Sequence, residues 1–141
     1  TFHICLVLVP IFLLAHVMLW DYYHGIRFWS LPEGVADVMT VLVILACLVF
    51  AARRLFLRQV RYVTSAMDWL VLLIVFLPFL TGFLAYHQIG PSKVLIILHI
   101  LFGEIMLAAI PFTRLSHMLL SPFSRGYIGS EFGNVRQAKD W

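Results

Sequence analysis

Six histidines stand out in a chain of 141 residues that is 62% hydrophobic and 12% charged. Four of them, His3, His16, His99 and His117, lie within or at the ends of long apolar runs. A polar side chain at membrane depth is costly and generally has a function, and histidine is the commonest metal ligand. His99 and His117 are 18 residues apart, five turns of an ideal helix, which puts them on one face about 27 Å apart along the axis. Each therefore belongs near a different membrane surface. Two histidines offered by facing helices can grip an iron from opposite sides. The alternative is four unrelated histidines that only hydrogen-bond between helices.

The elements that would position them are transmembrane helices. So few charges and so many apolar residues exceed what a small soluble core can use, and the bilayer is the remaining apolar solvent. A helix needs about 20 residues to cross the hydrocarbon, and four runs qualify: residues 2–20, 34–55, 66–86 and 93–120. Each must be helical, because lipid offers no partner to free backbone groups. The expected fold is an all-α transmembrane bundle over residues 1–121 with a polar tail over 122–141. The chain opens at Thr1 inside an apolar run, so a further span is expected before it. Pro10, Pro78 and Pro111 fall inside spans and should kink them.

Arginine distribution orients the bundle. Arg53, Arg54, Arg58 and Arg61 crowd the second connection, and Arg114, Arg125, Arg136 and Lys139 gather toward the tail. The other connections hold only Arg27 and Lys93. The positive-inside rule then places the second connection and the carboxyl terminus in the cytoplasm. Trp20, Tyr22, Tyr23, Phe28 and Trp29 form an aromatic cluster at the outer end of the first span, as at a membrane interface. With this orientation His16 pairs with His99 near the outer surface and His3 with His117 near the inner one. One phase conflict stands out. His3 and His16 are 13 residues apart, about 140° out of register on an unbroken helix, and only a kink or bulge near Pro10 would reconcile them.

Other side chains fit secondary roles. Arg114 lies one turn before His117 and suits a carboxylate such as a haem propionate, or else anchors the helix at the membrane surface. Glu104 is a deep carboxylate able to relay a proton or to bond a ligating histidine. Asp68 complements the dipole at the start of its helix, and Lys93 snorkels to the head groups. His24 and His87 sit near the outer loops, in contact with water, a quinone head group or a propionate. Cys5 and Cys47 lie far apart in apolar runs and read as small buried residues. Basic residues interleaved with a soluble fold are lacking, so nucleic-acid binding is not expected.

Two segments carry a family resemblance. "RRLFLRQVRYVTSAMDWLVLLIVFLPFLTGFL", Arg53 to Leu84, resembles a helix–loop–helix of the respiratory nitrate reductase gamma subunit. "LHILFGEIMLAAIPFTRLSHMLLS", Leu98 to Ser121, resembles its last helix, and "FHI" at Phe2 to Ile4 the start of its first haem-ligand helix. The wider superfamily includes membrane cytochrome b subunits of heterodisulfide reductase and of sulfite-reductase-associated complexes. The resemblance implies two b-type haems, an inner one on His3 and His117 and an outer one on His16 and His99. It also implies electron transfer between quinone, with menaquinol the expected donor, and a cytoplasmic iron–sulfur subunit. Other membrane or periplasmic subunits and the inner (cytoplasmic) membrane as location follow from the same likeness. The chain departs from the family in the longer His3–His16 spacing, in the short connection from Tyr86 to Lys93, and in Ala36, which stands where the family's quinol-associated lysine falls. These departures favour the heterodisulfide or sulfite-linked branch. The competing expectation is a haem-free anchor or assembly subunit.

Overall fold

The computed structural model describes residues 1–136, the last six of these by backbone alone. Lys139 and Trp141, which the sequence reading places in the tail, lie outside the described residues. The described residues form seven α-helices and one 3-10 turn, without a strand. The helices are α1 (Phe2–Phe12), α2 (Leu14–His24), α3 (Glu33–Phe56), α4 (Arg58–Val63), α5 (Ala66–Tyr86), α6 (Ser92–Ala109) and α7 (His117–Arg136), with the 3-10 turn at Arg114–Ser116.

Three helices, α3, α5 and α6, are long and apolar enough to cross a membrane, and α1 with α2 makes a fourth candidate if that bent pair is one span. This suits a multi-pass membrane protein. Large apolar side chains such as Leu45, Leu48 and Val49 point outward from α3, an arrangement that water penalises and lipid does not. The core is thin. Cys5 and Val9 of α1 meet Val43 and Cys47 of α3, then Val75 and Phe79 of α5, with Leu115 joining the same cluster. Both cysteines are free and buried there. Helix α3 packs between α1 and α5, and α5 packs along α6.

The first span is not one helix. Leu13 is extended, with φ −63° and ψ 132°, and α2 leaves α1 at 42°. Pro10 has no N–H to give to the preceding turn, and the ladder fails three residues later. The break leaves carbonyls for other donors. The Phe12 carbonyl accepts the Leu31 N–H at 2.8 Å, while Phe28 and Trp29 set their rings against Phe12. The connection after α2 thus folds back onto the break and seals it. Gly25, at φ 65°, supplies the left-handed residue that ends α2.

The last span also departs from the expected single helix over residues 93–120. Helix α6 stops at Ala109, and the chain turns around Pro111 before the 3-10 turn and α7. His99 and His117 therefore sit on different helices, and the argument from five unbroken turns does not hold. Helix α7 continues to Arg136, passing through residue 122 without interruption.

At the end of the bundle where α5 begins, expected to be the inner one, Asp68 ties three segments together. Its carboxylate accepts the Ser65 N–H at 2.8 Å and closes a capping box at the start of α5. It also pairs with the Arg114 guanidinium at 2.7 Å, and its carbonyl accepts from Arg54 of α3 at 2.9 Å.

Candidate functional site: two opposed histidine pairs

The break at Leu13 decides the geometry. By turning α2 away from α1 it removes the 140° conflict of an ideal helix, so His3 and His16 both face the side of the bundle where α6 and α7 stand. His16 lies opposite His99 with ring centres 5.9 Å apart and planes 10° from parallel. His3 lies opposite His117 at 6.0 Å, with the planes at 85°. All four expected histidines are thus brought together, in the pairs expected. Imidazole–metal bonds of about 2.0–2.1 Å, on either side of one metal, hold two ring centres roughly 6 Å apart. Both pairs have that separation.

Hydrogen bonding fixes which nitrogen is presented. A carbonyl only accepts, so a ring nitrogen bonded to one carries the proton. His16 donates from Nδ1 to the Pro10 carbonyl at 2.7 Å, a group released by the break at Leu13. His99 donates from Nδ1 to the Pro78 carbonyl at 2.8 Å, and His117 donates from Nδ1 to the carbonyl of Arg114. In each ring Nε2 is then the unprotonated nitrogen, with its lone pair available to a metal. Pro10 and Pro78 serve beyond their kinks, since their carbonyls aim the outer ligands.

Gly82 is part of the same fit. A Cβ there would stand 2.7 and 2.8 Å from the His99 ring atoms, so only glycine lets α5 approach the imidazole so closely. The inner pair is held differently. Buried Leu115 seats the 3-10 turn in the core, and the Arg114–Asp68 ion pair fastens that turn to α5. His117 follows directly. His3 and His117 are exposed, whereas His16 and His99 are half-buried.

A cavity of about 370 Å³ opens beside the outer pair. Val9, Leu13, Phe79, Phe83, Ile100 and Leu107 give it apolar walls, with His16, His99 and Glu104 among its polar ones. Such a space, mostly apolar with a few aimed polar groups, is the usual form of a ligand site. Among the described residues, no three of His, Cys, Asp and Glu gather as ligands to one bare ion, so each histidine pair stands as two ligands. A haem would suit this donor set, since its macrocycle would supply the other ligands and each histidine pair would supply two neutral imidazoles.

The other expected residues find definite places. The Arg114 guanidinium is engaged by Asp68 through one nitrogen, with further donors on the same group. Glu104 lines the outer cavity. The His24 ring lies against Trp20, with ring centres 4.9 Å apart and planes tilted by 40°, on a smaller open pocket that also touches His16. Ala36 is buried. Its neighbour Asp37, which the sequence reading passes over, reaches the cavity instead and pairs with His87 at 3.2 Å. Gly82 was also missed. An acid one turn into an apolar run and a small residue within a span were the available signals.

No family model matches the chain, and no solved structure matches it. A protein of Nitratidesulfovibrio vulgaris (strain Hildenborough), whose name says no more than "Protein", is 42% identical over 135 residues. The alignment covers 96% of this chain and 60% of the relative, so the chain spans about three-fifths of the length of the curated relative it matches.

Proposed function

We propose that this chain is a dihaem cytochrome b subunit that moves electrons between a membrane quinone and a cytoplasmic iron–sulfur partner. The observation that carries the reading is the opposition of two imidazole pairs at a separation suited to one metal each, 5.9 and 6.0 Å. In this reading α1 with α2, α3, α5 and α6 are four spans, and the second connection and α7 face the cytoplasm of the inner membrane. The arginines at the end of α3 and on α4 support that orientation through the positive-inside rule.

Bound haem supplies one-electron redox chemistry, at potentials set by its axial ligands and surroundings. The chain's own residues do the rest. His16 and His99 hold the outer site with tautomers fixed by the Pro10 and Pro78 carbonyls. His3 and His117 hold the inner site, nearer the expected partner. The apolar walls keep water from the outer site and lower the local dielectric. Arg114 remains a candidate partner for an inner propionate through the guanidinium nitrogens that Asp68 does not engage.

Replacing His99 with Ala tests the reading. The expected product keeps the inner haem and loses the outer one, seen as half the pyridine haemochrome yield per chain. Retention of both haems would remove His99 from the ligand set.

A further inference from the structure

The outer cavity has an ionisable rim that the histidine pairs do not use. Asp37, one turn into α3, lines that cavity, and its Oδ1 meets Nε2 of His87 at 3.2 Å. His87 follows the last residue of α5, so the pair joins two helix ends at the outer side of the bundle. Both side chains are about one-third exposed, at 35% and 34%; Asp37 lines the cavity, and His87 lies on the far side of Asp37 from it. Tyr86 lines the same cavity and lies beside Glu33. The titratable groups around the pair are therefore Glu33 on α3 and Tyr86 on α5, with His16 on α2 and His99 and Glu104 on α6 across the cavity.

A carboxylate bonded to an imidazole is a proton acceptor with an onward path. The carboxylate takes a proton from a donor in the cavity, and the imidazole, which can both accept and release a proton, passes a proton to water. We infer that Asp37 and His87 are the proton-accepting pair for a hydroquinone whose head group binds at the Asp37 rim of the outer cavity. The inference rests on the electron-transfer reading above and deepens it by naming the groups that receive protons. Oxidation of a hydroquinone breaks two O–H bonds and yields the quinone, two electrons and two protons. The two electrons would leave one at a time to the oxidised haem that His16 and His99 would hold, which is the oxidant of the step. The protons go in turn to Asp37 and through His87 to outer water, and the pair discharges the first before taking the second. The proton acceptors thus lie at the rim of the cavity whose opposite wall carries His16 and His99, so a ring bound at that rim stands between outer water and the site those histidines would hold.

The test uses the complex isolated through the full-length chain, with menadiol, a short naphthohydroquinone, as donor. In Asp37→Asn, dithionite should still reduce both haems to full amplitude, whereas reduction by menadiol should slow by about 10²-fold, as for loss of a general base. The rise of the menadiol rate with pH should flatten, and Asp37→Glu should restore most of both. His87→Gln, which spares the carboxylate, should keep both haems and lose part of the rate. An unchanged menadiol rate in Asp37→Asn would overturn the inference while leaving the haem sites standing. Loss of the outer haem in Asp37→Asn that Asp37→Glu does not repair would also overturn it, by giving Asp37 a structural role. A wild-type complex with no haem would remove the reading on which it rests, and the inference with it.

Discussion

At the scale of single residues, the outer pair depends on three unreactive groups as much as on its imidazoles. The carbonyls of Pro10 and Pro78 hold Nδ1 of His16 and His99, and Gly82 leaves room for the His99 ring. The histidines themselves were legible in the sequence because a polar residue in an apolar run is conspicuous. Gly82 was not, because nothing local distinguishes it from any other small residue of a span. Its role exists only once α5 and α6 are side by side. Gly82→Ala should therefore force the His99 ring off its carbonyl at a cost of about 1–3 kcal/mol for overpacking. Difference spectroscopy should show the outer haem depleted or shifted and the inner one unchanged. An unaltered spectrum would mean that the ring moves without consequence.

Helix breaks decide what the histidines can do at the scale of elements. Helix α5 was readable end to end, since its apolar run and the observed helix coincide at Ala66–Tyr86. The first and last spans were not. Pro10 announced a disturbance, but the extended residue is Leu13, whose type gives no hint of it. What stabilises the break is distant: the Leu31 N–H on the Phe12 carbonyl and two aromatic rings that close over it. Long-range partners of this kind leave no periodic trace. Pro111 did mark the interruption after α6, yet a kink was expected there and a change of helix is found. The first break places histidines that an ideal helix would misplace, and the second puts His99 and His117, in phase on an ideal helix, on separate helices. One alanine inserted after Leu13 should rotate His16 by about 100° relative to α1. The expected haem yield is then one per chain, held by His3 and His117, because His3 precedes the insertion. A yield of two would show that the break absorbs the extra residue.

The whole molecule is a thin bundle whose outward side chains are apolar and whose basic residues crowd one end. Composition made helices fit for a membrane legible at once, and the connection rich in arginine is what supports the proposed orientation. The short helix α4 within that connection, and the Asp68 junction of α3, α5 and the 3-10 turn, were not foreseen. They join residues far apart in the chain. Orientation has a direct consequence, because the connection at Ile89 and the one at Gln59 should lie on opposite sides. In a chain freed of Cys5 and Cys47, Ile89→Cys should react with a membrane-impermeant maleimide in intact spheroplasts, and Gln59→Cys only after permeabilisation. Labelling at the reverse sites would invert the electron path as well as the topology. The central claim, that the two histidine pairs each hold a haem, is met most directly by one measurement on the isolated complex. It is a dithionite-reduced minus oxidised spectrum with a pyridine haemochrome count for this chain. Two b-type haems per chain is the predicted result. A chain without haem would contradict the account and leave the histidines as bonds between the helices of a membrane anchor.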